Sequence, residues 1–225
     1  MYLIVVGAGK IGSNFIELAT QDGNDIVVIE EDERVANEIA DEYDCMVLNA
    51  DAAQDEVLVD AGIDKADAVV STTNLDSVNI MVMLLAQEHD VPSLVSVVRD
   101  PKHDDIFEKI GVNVIENPQR LIADYLYHSV RYPEVKDFMD IGKQTELVQI
   151  TVDEDAPVAG VDLTTARRDG LITEDTVVVA VNRGDDILTP KGNTVLRPGD
   201  VVTVFVNESK MDDAVGCFST NGNED

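Results

Sequence analysis

Tyr2-Leu3-Ile4-Val5-Val6-Gly7-Ala8-Gly9-Lys10-Ile11-Gly12 opens the chain as an apolar run that passes straight into Gly-x-Gly-x-x-Gly. A buried parallel strand reads as a continuous apolar segment, and residues 3–6 are one. Each glycine then has a separate task in dinucleotide binding. Gly7 lets the chain turn tightly, Gly9 leaves no side chain in the way of a pyrophosphate, and Gly12 lets the following helix lie close on the strand. That helix, expected over residues 10–20, aims its N-terminal N–H groups and positive dipole end at phosphates. A second strand over residues 25–30 ends in Glu30, 18 residues after Gly12. This is close to the spacing of about 20 for an acid that accepts from ribose hydroxyls. The alternative is a glycine turn in an ordinary βα unit with a solvated acid after its second strand.

The same alternation continues. Helices are expected over residues 32–43, 54–61, 77–89 and 102–110, and strands over residues 45–48, 67–71, 93–98 and 112–115. On the helix over 77–89, Ile80, Met83, Leu84 and Leu85 are expected to face inward. Six strands alternating with helices predict a Rossmann-like, doubly wound parallel α/β sheet of order 3-2-1-4-5-6 over residues 1–117. Pro118 then begins a longer helix to residue 131 with an apolar stripe of Leu121, Ile122, Tyr125, Leu126 and Val130. The sheet is already complete, so the stripe either packs back on it or joins two copies of the chain. Residues 134–144 read as a linker that completes a 118–144 connecting segment. The pattern over 145–218 changes to alternating strands, Gly- and Pro-containing turns and two short helices, a small α+β domain. Residues 219–225 are polar and read as a frayed tail.

Composition narrows the function. The chain has 225 residues with 45 acidic against 16 basic side chains, a formal net charge of −29. Such a field repels nucleic acid and anionic lipid. With 44% hydrophobic residues the chain is a folding one. The spread of acids along it fits life in concentrated salt, where screening makes self-repulsion tolerable. Cys45 and Cys217 have no metal spacing. No run reaches the roughly 18 apolar residues of a membrane helix, and no signal-peptide pattern is present.

In a doubly wound sheet, ligands bind beyond the carboxyl ends of the strands, where the strand order reverses. Gly7, Glu30, the 49–52 segment, the 71–74 segment and Arg99 all fall at such ends. Asp51 suits an adenine amino group, Thr73 and Asn74 a ribose or phosphate, and Arg99 a phosphate. Taken singly, Asp51 and Arg99 could be solvated loop charges; their joint placement on one rim joins them to the set. An NAD-dependent oxidoreductase is the rival reading. It needs a proton donor or base beside the nicotinamide. His89, His103 and His128 are the only histidines, and each reads more simply as a surface or capping residue.

Residues 2–12, Ile29-Glu30, Asp51-Ala52, the run from Ser71-Thr72-Thr73-Asn74 to Asn79, and Val98-Arg99-Asp100-Pro101 resemble the TrkA N-terminal (RCK) domain. Gly160-Val161-Asp162-Leu163, Thr189-Pro190-Lys191-Gly192-Asn193 and Arg197-Pro198-Gly199-Asp200 resemble the TrkA C-terminal domain. The resemblance implies a cytoplasmic regulatory subunit, peripheral at the inner face of the membrane, that gates a TrkH-like potassium transporter or channel. An RCK-type regulator of another membrane transporter is the neighbouring alternative. It implies NAD(H) as ligand, with ATP or ADP open. Gly7, Ala8, Gly9, Lys10 and Ile11 would hold the pyrophosphate, and Gly12 belongs to the same cofactor-binding loop. Glu30 would hold the ribose, and Asp51 and Ala52 would sit at the adenine with Thr73, Asn74 and Arg99 nearby. It also implies a homodimer or larger assembly and a second small-molecule effector, such as a cyclic dinucleotide, on the C-terminal domain. Two positions depart from the common pattern. Lys10 is basic, as in some ATP-binding members. Gln119 stands where some members carry a metal-binding acid, which argues against a divalent ion there.

Overall fold

The computed structural model describes residues 1–142 and 144–219, and they divide into two compact units, Met1–Ile122 and Ala123–Asp225. The first unit begins with β1 (Tyr2–Val6), α1 (Lys10–Gln21), β2 (Asp25–Glu30), α2 (Glu33–Glu42), β3 (Met46–Asn49) and α3 (Asp55–Asp60). It continues with β4 (Ala68–Ser71), α4 (Asp76–Glu88), β5 (Ser93–Val97), α5 (Asp104–Ile110) and β6 (Val114–Glu116). The sheet runs β3-β2-β1-β4-β5-β6, every neighbouring pair parallel. This is the order expected from the βα alternation, and it reverses between β1 and β4.

The central strands are buried on both faces, which is why they read as unbroken apolar runs. Leu58, Met83 and Phe107 are fully buried on one side, and Ile16 on the other. Each such side chain contributes roughly 1.5–3 kcal/mol of transfer free energy. On α4 the buried line is Asn79, Val82, Met83 and Ala86, while Ile80 and Leu85 pack at its margin. Leu84 was expected inward but is 37% exposed. A helix turns about 100° per residue, so the position after Met83 leaves the buried line.

α6 (Pro118–Arg131) starts on a true cap: Asn117 Oδ1 accepts from the Arg120 N–H at 3.0 Å. Its stripe lies open, with Leu121 and Leu126 each 60% and Val130 81% exposed.

The second unit holds β7 (Val135–Asp140), β8 (Thr145–Thr151), α7 (Leu163–Arg168), β9 (Thr176–Arg183), β10 (Asp186–Leu188), β11 (Val201–Asn207) and α8 (Met211–Phe218). Its antiparallel sheet runs β10-β9-β11-β8-β7. β8 and β11 alternate between buried and half-buried residues, and the inner face meets Ala166, Met211, Ala214 and Phe218 in one core. The stretch 134–144, expected as a linker, contains β7. Lys136, Asp137 and Asp140 hide the strand pattern, as charges do on edge strands, and a register irregularity between Val135 and Asp137 breaks the alternation. The tail expected over 219–225 lies outside the described residues from 220 onward.

Candidate functional site

A groove of about 790 Å³ crosses the carboxyl edge of the parallel sheet. Its walls follow the strand order. Asp51 and Ala52 lie after β3, Glu30, Glu31 and Asp32 at and after β2, and Gly7, Gly9, Lys10 and Ile11 after β1. Thr72, Thr73, Asn74 and Leu75 come after β4, Arg99 after β5, and Gln119 after β6.

The glycine turn is shaped by contacts. Gly7 has φ +85°, a region L-residues rarely adopt, and its N–H donates to the Ile29 carbonyl at 2.9 Å. A Cβ on Gly12 would lie 2.0 Å from the Gly7 carbonyl oxygen, so only glycine lets α1 approach β1 this closely. Above Gly9 the space is open: a Cβ there would meet no atom within 4 Å, and it would project from the groove wall. Ala8 is 4% exposed and, with Gly12, sits behind the lining instead of on it. Its role is through its N–H, which donates to Glu30 Oε2 at 2.6 Å. Glu30 Oε1 accepts from the Asp32 N–H at 2.9 Å. The acid at the end of β2 is therefore fixed against the glycine turn, ready to accept hydroxyl protons with its remaining lone pairs.

Asp51 is partly engaged in its own turn, accepting from the Ala53 N–H at 2.9 Å. Thr73 is organised by Asn79, which is fully buried. Asn79 Oδ1 accepts from the Ser71 hydroxyl at 2.7 Å and the Thr73 hydroxyl at 2.6 Å, and its Nδ2 donates to the Val97 carbonyl at 3.1 Å. Thr72 donates its hydroxyl to the Gly7 carbonyl at 2.8 Å, tying the β4 loop to the glycine turn. Arg99 donates through Nη2 to Asn74 Oδ1, and its carbonyl accepts from Asn117 Nδ2 at 3.0 Å.

Asp76 is a residue that sequence reasoning missed. Its carboxylate accepts from the N–H groups of Arg99 at 2.8 Å and Asp100 at 2.9 Å, and from His103 Nδ1 at 2.7 Å. Burial pushes this carboxyl up, but the Asp100 N–H, His103 and the Arg99 N–H outweigh it and hold it below the usual range. Asn117 was missed too. The donors on Asp76 lie 23 or more residues away and the Asn117 bond to Arg99 spans 18, so local pattern gave no signal for these contacts, although the Asn117 cap on Arg120 is local.

The arrangement divides the groove by charge. Glu30, Glu31, Asp32 and Asp51 mark the β2–β3 end, whereas Lys10, Arg99 and the N-terminus of α1 mark the β1–β4–β5 end. The first end suits hydroxyl and amino donors and the second suits phosphate oxygens. None of the three histidines lines it. His89 is held between Asp55 at 2.9 Å and Asp64 at 2.8 Å, His103 is on Asp76, and His128 stacks on Phe138 in the second unit with ring centroids 4.4 Å apart.

A "Trk system potassium uptake protein TrkA homolog" of Methanothermobacter thermautotrophicus is 28% identical over 222 residues, covering 97% of this chain and 100% of its own. The solved structure "GsuK channel bound to NAD" matches with TM-score 0.65 at 16% identity, over 96% of this chain and 39% of that one. "Crystal structure of the GsuK bound to ADP" matches with TM-score 0.54 at 16% identity, over 59% of this chain and 35% of that one. At that identity these two speak for the fold. The TrkA-N domain model matches residues 3–118 and the TrkA-C domain model residues 147–215. The chain thus belongs to the TrkA family, with a TrkA-N domain followed by a TrkA-C domain.

Proposed function

We propose that this chain is a nucleotide-sensing regulatory subunit that binds NAD(H) in the groove and thereby sets the state of a membrane potassium transporter. The observation that carries the reading is the match between charge and strand order along the groove, acids where a ribose and adenine would lie and cations where a pyrophosphate would lie. The relatives' names supply the potassium system. In this reading residues 1–117 form the nucleotide domain and 145–218 a second regulatory domain that takes a further small-molecule effector. The protein works in the cytoplasm, at the inner face of the membrane, through a TrkH-like partner. None of the described helices is long and apolar enough to cross a membrane, so attachment rests on that partner. The open stripe of α6 joins two copies. A regulatory role is favoured over catalysis by the relatives, which are named as potassium uptake proteins.

NAD(H) is favoured over ATP because four carboxylates line the groove against two cations, and NADH carries less negative charge than ATP. Glu30 disfavours NADP, whose 2′-phosphate it would repel. ATP is the second reading, favoured by Lys10 beside the glycine turn. Coupling requires that the ligand bind two states of the assembly unequally.

The test is potassium flux through the reconstituted partner with wild type and Gly9→Val. The substitution fills the open space above Gly9 and should abolish ligand-dependent flux. Glu30→Ala should weaken binding by about 1.5–3 kcal/mol. A folded Gly9→Val protein that binds no nucleotide yet supports full ligand-dependent flux overturns the proposal.

A further inference from the structure

Asp76 stands in the first turn of α4, where a carboxylate ordinarily serves its own helix. Here it does not. The N-cap residue Leu75 provides no side-chain cap, and both Asp76 oxygens turn to the loop after β5. Oδ1 accepts from the Arg99 N–H at 2.8 Å; Oδ2 accepts from the Asp100 N–H at 2.9 Å and contacts His103 Nδ1 at 2.7 Å. The residue is 8% exposed, so these bonds form away from bulk water, where charge-assisted bonds are strong.

The consequence falls on Arg99. Its N–H is held by Asp76, its carbonyl by Asn117 at 3.0 Å, and its guanidinium by the neutral side-chain carbonyl of Asn74. Among the described residues no carboxylate pairs with that guanidinium. A cation whose backbone is pinned on both sides faces the groove at its phosphate-suited end. Holding it there in advance removes ordering entropy that binding would otherwise cost.

We propose that Asp76 is a positioning residue that fixes Arg99 for recognition of a nucleotide's phosphates, and so sets how much affinity each phosphate adds. The inference rests on the nucleotide-binding reading above.

The experiment is calorimetry of adenosine, AMP and ADP against the full chain at one potassium chloride concentration. Wild type, Asp76→Asn, Arg99→Ala and the double variant are compared, with thermal melts of each. In wild type, affinity should rise from adenosine to ADP. Asp76→Asn should lower ADP affinity about tenfold while adenosine affinity changes by less than about twofold. The double variant should bind ADP within about twofold of Arg99→Ala alone, because removing the positioner matters only while Arg99 is present. An equal loss for adenosine and ADP, or additive losses in the double variant, makes Asp76 a merely structural residue and overturns the proposal. Should Asp76→Asn not fold, Asp76→Glu replaces it. Its carboxylate lies one methylene further out and cannot hold both N–H groups, so the same phosphate-dependent loss is expected. NADH is titrated beside them, and a wild type that binds neither NADH nor any of the three overturns the nucleotide reading itself, an outcome distinct from the other two.

Discussion

Asp76 in the first unit and Asp200 in the second are both buried and both collect three donors, yet one borders an open groove and the other closes a corner. Asp200 Oδ1 accepts from Arg183 Nε at 2.8 Å, and Oδ2 from Arg183 Nη2 at 2.7 Å and the Arg197 N–H at 2.9 Å. The difference lies in strand direction. Parallel strands put every carboxyl end on one edge, so the loops after β1, β4 and β5 fan out around a gap and a carboxylate there holds one loop in place beside it. Antiparallel strands return at their turns, so β9 and the 195–200 turn before β11 meet, and the same device ties them together with a charged pair turned inward. Glu146 on β8 is the counter-example within the second unit. It is 3% exposed, but its Oε2 has no hydrogen-bond partner among the described residues.

The largest test of this contrast is at the closed corner. Arg183→Met leaves the Asp200 carboxylate buried with one donor of its three. Breaking a buried, hydrogen-bonded pair on one side costs about 3 kcal/mol or more. The loss should appear as reduced amide-exchange protection along β9 and β11. A loss below about 1 kcal/mol would show that the corner is held by its apolar core instead.

Next in size is Asn79→Ala on α4. The substitution strips partners from Ser71, Thr73 and Val97, all near the groove, and orphaned buried polar groups cost about 1–3 kcal/mol. Denaturant unfolding should show that loss, together with weaker nucleotide binding through the freed Thr73. Native binding by a destabilised Asn79→Ala protein would separate the groove from the network behind it.

These two side chains also mark what the sequence can and cannot tell. The parallel sheet was legible because Leu3 to Val6 and the later apolar runs recur at βα spacing, and the glycines between them allow one reading of the turn. The groove residues were legible where they end a strand, as Glu30 does, or follow one closely, as Arg99 follows β5. Gly12 was read as the gap that lets α1 lie close, and a Cβ there would strike the Gly7 carbonyl oxygen; Ala8 was read among the residues that hold the pyrophosphate, and its N–H goes to Glu30. Asp76 and Asn117 escaped because their partners are 18 to 27 residues away, and only the folded chain pairs them. β7 escaped because edge-strand charges look like a linker. Leu84 was misjudged because an apolar residue on a helix says nothing of which neighbour the buried line follows.

A smaller effect is expected at Glu146. Burial pushes its carboxyl up; His128, 3.8 Å away and beyond hydrogen-bond reach, and Arg131 pull it down, while Asp140 and Glu208 push it up further. A folded-state value above the unfolded one means that its stabilising contribution is full below the ordinary value of 4.5 and is lost as pH rises through the folded value. At pH 7 the charged carboxylate is then a cost. Glu146→Gln should stabilise the protein at pH 7 by roughly 1 kcal/mol and make no difference near pH 4. Destabilisation at pH 7 would mean that His128 more than compensates the buried charge, and that the contrast with Asp200 is one of distance only.

The smallest effect belongs to the surface of the first unit, where His89 bridges two acids. Its imidazole is pushed up by the hydrogen bonds it donates to Asp55 and then to Asp64, against a lesser opposing effect of burial. Its contribution is therefore full below about the ordinary value of 6.5 and fades as pH rises through the raised folded value. Asp55 and Asp64 are 54% and 79% exposed, so solvent screens both pairs and each is worth less than about 1 kcal/mol. His89→Gln should lower the melting temperature slightly at pH 6 and not at all near pH 9. The effect should also shrink between 0.1 M and 1 M salt, as the Debye length falls from ~10 Å to ~3 Å. Asp76 sits among its donors at 6% side-chain exposure, so its substitution should lose little of its effect over the same salt range. Equal salt dependence of the His89 and Asp76 variants would erase the distinction between a surface clamp and a buried positioner.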